Sequence, residues 1–127
     1  MRDDRPDAAS QTADRLLGEN VDAIIGAASS GVTLTVIDKI TQAGVTMFSP
    51  ANTSPALSDY ADNGLYFRNA PPDTLQGAIV SELVLEDGAA SVYILNLDDS
   101  YGNGIANVIA SILSESGVEV LGQVAYD

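Results

Sequence analysis

The sequence predicts an α/β fold: a mostly parallel β-sheet with helices on both faces. Two patterns lead to this prediction. Short apolar segments of strand length alternate with segments of about 10 to 15 residues in which apolar positions recur at helical spacing. The strand segments are nearly continuous in apolar residues, which is typical of parallel strands buried on both sides. Because parallel sheets bind ligands beyond the carboxyl ends of their strands, the loops at those ends are the first candidates for function.

The first half of the chain predicts helices and strands in alternation. The first helix has Ala9, Ala13 and Leu16 on one face, so it needs an apolar surface to lie on. In chain order, we predict a helix over residues 7–18, a buried parallel strand over 21–27, a helix from Val32 to a stop at Gly44, a strand over 45–48, a brief helix through Leu57 and Tyr60, and a strand over 65–68.

The second half continues the alternation. Prolines within residues 69–72 break the preceding structure, and Asp73 or Thr74 then caps a helix. The predicted apolar face of that helix consists of Leu75, Ala78, Ile79 and Leu83. A strand over residues 91–97, a helix that ends at Gly117 and a strand over 118–126 follow. The last strand is predicted to place on one face Val118, Val120, Val124 and Tyr126.

The composition excludes several classes of function. The 127 residues are enough for one folded domain, and they include neither cysteine nor histidine. This excludes disulfides, thiolate and zinc sites and histidine-based catalysis, so an enzyme would have to use Asp, Ser, Thr or Tyr alone. We expect no cofactor, no metal and no enzymatic activity. The formal net charge of −13 repels phosphate backbones, so we also expect no binding to nucleic acid. The charge serves solubility or, alternatively, adaptation to high salt, where ions screen the self-repulsion.

The chain is predicted to be a fragment of a larger protein. It opens on a helix with no preceding strand and stops after a strand with no following helix. No apolar run approaches the roughly 20 residues that span a bilayer, and no apolar stretch of a signal peptide follows residues 1–4. Because such a fragment exposes apolar surface that its absent part would cover, we expect non-native dimerisation or strand exchange.

Residues 26–31, Gly-Ala-Ala-Ser-Ser-Gly, form the most informative segment. They lie between a predicted strand and a predicted helix, where backbone N–H groups and two hydroxyl groups point outward at the positive end of the helix dipole. This arrangement predicts a seat for an anion. Two further loops of small and polar residues follow strands at residues 49–54 and 98–104, and the rule for parallel sheets favours a site built from all three.

Five short segments in a fixed order carry a family resemblance. They are residues 3–4 (Asp-Asp), 25–30 (Ile-Gly-Ala-Ala-Ser-Ser), 47–57 (Met-Phe-Ser-Pro-Ala-Asn-Thr-Ser-Pro-Ala-Leu), 67–69 (Phe-Arg-Asn) with Asp73 and residues 76–77, and 98–104 (Asp-Asp-Ser-Tyr-Gly-Asn-Gly). Their order and spacing resemble the type I periplasmic binding protein family, in particular the branched-chain amino-acid (Leu/Ile/Val) binding proteins of ABC transporters. The resemblance spans nearly the whole chain.

The resemblance implies a two-lobed protein of which this chain is an incomplete part. Residues 1–69 would belong to the first lobe, residues 70–73 would form a hinge crossing, and residues 74–127 would belong to the second lobe. A small, branched-chain amino acid would bind between the lobes and pass to the membrane permease of an ABC transporter. The protein would be periplasmic, or extracellular and anchored to the membrane. A ligand-sensing domain of the same fold in a receptor or regulator is the alternative.

The resemblance also implies which residues hold the carboxylate of the ligand. Ser30 and the backbone at Ala28 and Ser29 would bind it, and the Thr53 hydroxyl would add a contact. Each residue also has a simpler interpretation. Ser29 and Ser30 can cap the following helix, and Thr53 can serve the turn before the next proline.

The remaining implied contacts concern the ammonium group and the second lobe. The carbonyl near Ala51 or Asn52 would accept from the α-ammonium, Asp73 would lie at the hinge, and Tyr101 would close over the ligand. In the simpler interpretation Asp73 only caps a helix and Tyr101 only packs its ring at a helix start.

Two other ligand classes fit the loop at residues 98–104 poorly. Gly102 and Gly104 begin a dinucleotide fingerprint, but Asn107 stands where its third glycine belongs. Asp98, Asp99 and Ser100 offer oxygen atoms to calcium, but no glutamate stands at the twelfth position. Neither ligand is therefore favoured, and the amino-acid carboxylate that the resemblance implies remains the predicted ligand.

Overall fold

The computed structural model describes residues 6–126, with side chains from Ala8 onward. The chain divides into two compact units. The first unit is the chain up to Thr53 together with Asp59–Ala70, and the second is Ser54–Ser58 together with the chain from Pro71 onward. Each unit has its own parallel sheet and its own helices.

The first unit contains a three-stranded parallel sheet. The strands β1 (Ala23–Ile25), β2 (Thr46–Ser49) and β3 (Tyr66–Arg68) lie in the order β1-β2-β3. The helices are α1 (Pro6–Gly18) and α2 (Ser30–Gln42). Helix α2 connects β1 to β2, and its apolar side chains Val36, Ile37 and Ile40 are buried together with Met47 of β2. Helix α1 packs beside α2, where the Lys39 ammonium lies 2.7 Å from the Asp14 carboxylate.

The second unit contains a two-stranded parallel sheet. Its elements are α3 (Asp73–Glu86), β4 (Ser91–Leu97), α4 (Ser100–Glu115) and β5 (Glu119–Tyr126), with a short 3-10 helix at Pro55–Leu57. Helix α4 connects β4 to its neighbour β5 and buries Ala106 and Leu113. Together the units confirm the predicted fold class, an α/β fragment with parallel sheets and flanking helices. Strand β4 has the predicted bounds.

Each sheet has one apolar face that no described element covers. In the first unit Ile25 and Phe67 lie on this face and are 72% and 52% exposed. In the second unit the corresponding face carries Tyr93, Leu95 and Leu97, and Leu95 is 69% exposed. The prediction of a strand over residues 21–27 buried on both sides is therefore wrong. Strand β1 has three residues and lies at the edge of the sheet, and it is not buried on both sides because the described helices shield only one of its faces.

Helix α3 buries a different face from the one that the sequence predicts. The predicted apolar side chains are exposed: Leu75, Ala78, Ile79 and Leu83. The buried face consists of Asp73, Gly77 and Ser81, which are spaced four residues apart. Helix α3 packs against α4 on this face, and a Cβ atom on Gly77 would lie 2.6 Å from Cγ1 of Val108. Small side chains thus let the two helix backbones approach closely.

Two predicted helix ends also differ from the observed ones. The N-cap of α3 is Pro72, which has no side chain that can accept a hydrogen bond, and Asp73 is the first helical residue. The prediction that Asp73 or Thr74 caps this helix is therefore wrong. The brief helix after β2 ends at Leu57, so it does not reach Tyr60.

Strand β5 does not keep its apolar residues on one face. Val92 pairs with Val120, but the next residue, Tyr93, pairs with Gly122, so the register shifts by one residue. Beyond this irregularity Val124 pairs with Leu95 on the exposed face, whereas Val118 is buried. The predicted common face of the strand is therefore wrong, because a β-bulge turns the second half of β5 over.

Candidate ligand-binding site

The turn after β1 leads directly into the N-terminus of α2. Gly26 has a φ of 138°, a backbone conformation that favours glycine. Ser29 is the N-cap of α2, and its Oγ accepts a hydrogen bond from the backbone N–H of Val32 at 3.4 Å. Ser30 is the first helical residue and is buried. The helix start carries the positive end of the helix dipole, as the anion-seat prediction requires.

The loop after β2 lies against this turn. The Ser49 hydroxyl donates to the carbonyl oxygen of Ala27 at 2.7 Å, and it accepts from the backbone N–H of Asn52 at 3.1 Å. Ser49 and Asn52 are both fully buried. The loops that follow two neighbouring parallel strands are thus joined by direct hydrogen bonds.

The side chain of Asn52 uses all of its hydrogen-bonding capacity inside the first unit. Its Nδ2 donates to the carbonyl oxygens of Ala27 and Ala28, at 3.1 Å and 2.9 Å. Its Oδ1 accepts from the Thr33 hydroxyl at 2.7 Å and from the Tyr66 hydroxyl at 2.9 Å. We call Ser49, Asn52, Thr33 and Tyr66 the Asn52 network. It connects α2, β3 and both loops.

Burial has an electrostatic consequence at Tyr66. Removal of the phenol from water raises its pKa above the ordinary value, because burial disfavours the phenolate. The positive charge of Arg68 opposes this shift, and the negative charge of Asp62 adds to it. Tyr66 therefore stays protonated at neutral pH and remains a hydrogen-bond donor to Asn52.

The structure brings together the predicted residues of the two joined loops. Ala28 and Ala51 are exposed, Ser29 and Thr53 are half-buried, and Asn52 is buried beneath them. One direct link between the predicted residues of the turn and those of the loop after β2 is the hydrogen bond from Asn52 Nδ2 to the carbonyl oxygen of Ala28. The Asn52 side chain is occupied by protein partners, so only its backbone carbonyl, or that of Ala51, fits the predicted contact with an ammonium group.

The two other predicted residues lie in the second unit. Asp73 is fully buried at the start of α3, and Tyr101 is 37% exposed in the first turn of α4. Asp99, two residues before Tyr101, caps α4, since its carboxylate accepts from the N–H of Gly102 at 2.6 Å. The loop before α4 is further ordered by a bond from Asn103 Nδ2 to the Asp98 carboxylate at 3.1 Å.

Sequence reasoning missed three members of the Asn52 network: Ser49, Thr33 and Tyr66. A signal for one of them was present. Thr33 falls at helical spacing with Ile37 and Ile40 on the apolar face of α2, and all three are buried. A buried hydroxyl needs a hydrogen-bond partner, so a threonine at this position predicts a polar contact inside the core.

An apolar cavity of about 430 Å³ lies in the first unit between α1, α2 and β1, and the start of the turn before α2, residues 26–27, also lines it. Its walls include Ala13, Leu16, Ile24 and Val36. None of the predicted ligand residues lines it. Its apolar walls offer little to a charged amino acid, so we place the candidate site at the loops.

The glycines of the partial dinucleotide fingerprint have packing roles. A Cβ atom on Gly102 would lie 2.3 Å from the carbonyl oxygen of Leu97, and one on Gly104 would lie 2.9 Å from Cδ of Pro55. Among the described residues no group of three or more acidic side chains could hold a metal ion. The same part of the chain has no helix long and apolar enough to cross a membrane.

Comparisons with known proteins agree with this architecture. The chemotactic signal transduction system substrate-binding protein BasB of Halobacterium salinarum is 30% identical over 94% of this chain and 30% of its own length. The Leu/Ile/Val-binding protein homolog 3 of Brucella melitensis is 26% identical over 96% of this chain and 32% of its own. The ABC transporter substrate-binding protein of Desulfitobacterium hafniense, solved in complex with Leu, superposes with a TM-score of 0.73 at 31% identity, over 96% of this chain and 35% of its own.

The chain therefore spans about a third of the length of these relatives. The relatives are binding proteins rather than enzymes by name. A family model described as "Periplasmic binding protein" matches residues 3–127. Because this match covers nearly the whole sequence, the chain belongs to the periplasmic binding protein family.

Proposed function

We propose that this chain binds the α-carboxylate of a small branched-chain amino acid, as part of the solute-binding protein of an ABC transporter. The observation that carries the proposal is the junction of two loops in the first unit. Hydrogen bonds from Asn52 hold the loop over residues 49–53 against the turn that leads into α2. The helix start, with its N–H groups and dipole, faces outward at the exposed Ala28.

The proposed roles follow the chemistry of the ligand. Ser30 and the N–H groups of Ala28 and Ser29 bind the carboxylate, and Thr53 adds a hydroxyl contact. The carbonyl of Ala51 or Asn52 accepts from the ammonium group. Asp73 and Tyr101 complete the proposed set of ligand residues. The names of the Brucella and Desulfitobacterium relatives, one a Leu/Ile/Val-binding homolog and one solved with Leu, support this class of ligand.

The lobe assignment and the location are part of the same proposal. Residues 1–69 contribute to a first lobe, residues 70–73 to a hinge crossing and residues 74–127 to a second lobe. Binding proteins of this family serve outside the cytoplasm, so the proposed location is periplasmic or extracellular at the membrane, with a permease as the partner.

A sensory role is the second candidate, and one observation favours it. The relative BasB is named as part of a chemotactic signal transduction system. A sensor would bind the same ligand but deliver it to no permease. Copurification of the complete gene product from its own membranes separates the two roles, since a permease supports transport and a signal transducer supports sensing.

Isothermal titration of the complete gene product tests the ligand. We expect heat of binding with leucine, isoleucine or valine. Leucinol, which has the side chain and the amine but lacks the carboxylate, serves as the matched ligand and should bind at least about tenfold more weakly. Equal affinity for leucine and leucinol would contradict a carboxylate seat, and no heat with any amino acid would refute the proposal.

A further inference from the structure

We infer that Asn52 is a positioning residue that sets the direction of the two backbone N–H groups preceding α2, those of Ala28 and Ser29. The inference rests on the proposed function, because it assigns these N–H groups to the ligand carboxylate. The inference gives Asn52 a role in ligand binding although its side chain does not contact the ligand. Its basis is the geometry of the peptide groups above the buried amide.

The orientation of the Asn52 amide follows from its neighbours. One side of the amide faces the carbonyl oxygens of Ala27 and Ala28, which can only accept hydrogen bonds. That side is therefore the NH2 group. The other side is the oxygen atom, and it faces the hydroxyls of Thr33 and Tyr66, which then donate. Every donor and acceptor of the side chain thus has one assignment.

This assignment fixes two successive peptide planes. Both carbonyl oxygens point toward Asn52, and the peptide groups that join Ala27 to Ala28 and Ala28 to Ser29 are trans. In a trans peptide the N–H group points opposite to the C=O group. The N–H groups of Ala28 and Ser29 therefore point away from Asn52, on the side where Ala28 is exposed.

Consecutive N–H groups that point the same way form a concave site for an anion. Here they stand just before the first turn of α2 and add to its dipole. The carbonyl of Ala27 is held twice, since Ser49 Oγ also donates to it at 2.7 Å. The carbonyl of Ala28 has Asn52 as its described donor, so Asn52 has the larger effect on the N–H of Ser29.

The test compares Asn52→Leu with the control Thr33→Val. Leucine has nearly the shape of asparagine but lacks the amide, so it frees the carbonyl oxygen of Ala28 and leaves that of Ala27 held by Ser49 alone. Thr33→Val removes a hydrogen bond from the same buried network but leaves the bonds to both carbonyls in place. Both variants lose stability. Only Asn52→Leu should release the peptide plane that joins Ala28 to Ser29, and it should loosen to a lesser extent the plane that Ser49 still holds.

Amide NMR of the ligand-free protein gives the first readout. We expect Asn52→Leu to shift the backbone 1H–15N signals of Ala28 and Ser29, while Thr33→Val leaves them nearly unchanged. Titration of the complete gene product with leucine gives the second. We expect Asn52→Leu to weaken leucine binding by about tenfold or more, against less than about threefold for the control.

Asn52→Asp provides a pH readout, which also serves if Asn52→Leu fails to fold. An ionised carboxylate repels both carbonyl oxygens, whereas a protonated one can donate to one of them. Leucine affinity should therefore recover between about pH 8 and pH 5 in this variant alone. Tyr66, the titratable group that contacts this side chain, stays protonated over that range.

The outcomes separate the inference from the proposed function. Wild-type protein that binds no amino acid refutes the proposed function, while the amide signals still test the orientation of the peptide planes. Equal effects of Asn52→Leu and Thr33→Val on the amide signals and on leucine affinity would overturn the inference. So would an Asn52→Asp variant whose affinity does not depend on pH.

Discussion

Gly102 offers a sharp test of how the second unit is built, through the substitution Gly102→Ala. A Cβ atom there would lie 2.3 Å from the carbonyl oxygen of Leu97 and 2.8 Å from its nitrogen. Ordinary C···O contacts begin near about 3.3 Å, so the start of α4 would have to move by about 1 Å. The atoms in the way belong to the backbone of β4, which cannot rotate aside as a side chain can.

The expected loss of stability follows from this clash. Overpacking of a closed site costs about 1–3 kcal/mol or more, and the greater helix propensity of alanine returns at most about 1 kcal/mol. We therefore expect a net loss of about 2 kcal/mol. A chain of this size loses roughly 4 °C of melting temperature per kcal/mol, which gives a decrease of about 8 °C.

Circular dichroism melting curves measure this loss, and Gly18→Ala is the matched control. Gly18 ends α1, and a Cβ atom on it would meet nothing within 4 Å. The same substitution there should change stability by less than about 1 kcal/mol. If Gly102→Ala and Gly18→Ala have the same melting temperature, the close contact between α4 and β4 is not important for the stability of the second unit.

Three further predictions concern charge, titration and the exposed faces. The folded-state pKa of Tyr66 is raised, so the stability that this residue contributes is complete below the ordinary pKa of about 10 and is lost as the pH rises toward the folded-state value. Chemical denaturation at a series of alkaline pH values should therefore show a smaller loss of unfolding free energy for Tyr66→Phe than for wild type. Parallel curves would contradict this. The net charge of −13 should make the melting temperature rise with added potassium chloride, and a melting temperature independent of salt would remove the case for adaptation to high salt. The isolated 127-residue chain should self-associate through its exposed sheet faces, so light scattering should detect species larger than a monomer. Leu95→Glu should lower the fraction of these species. A monomeric wild type would contradict the prediction.

Hydrophobic periodicity predicted the order and type of the elements, because each strand and helix had to bury at least one apolar side. It could not predict the buried face of α3. Apolar residues occupy almost every side of that helix, and the close packing of Gly77 on Val108 decides which side is covered. The bulge in β5 could not be predicted either, since one extra residue reverses the faces of the strand without changing its composition.

The sequence could predict the backbone turn of the candidate site but not the buried side chains that hold this turn in place. A small-residue turn before a helix indicates an anion seat wherever it occurs. The partners of Asn52 are distant in sequence, with Thr33 on α2 and Tyr66 on β3, so only the fold brings them together. The prediction that Ala28, Ser29, Ser30, Ala51, Asn52, Thr53, Asp73 and Tyr101 contact the ligand stays a prediction.

In the two joined loops, different residues hold the backbone and face the solvent, and this separation affects how the loops can change over evolutionary time. The groups that hold the backbone are buried, whereas Ala28 and Ala51 carry exposed methyl groups that make no hydrogen bonds. Substitutions at these two positions alter the surface that faces solvent and leave the Asn52 network intact. If the proposed function holds, substitutions at these two positions would change which ligand side chain fits, and the buried framework beneath the loops would stay the same.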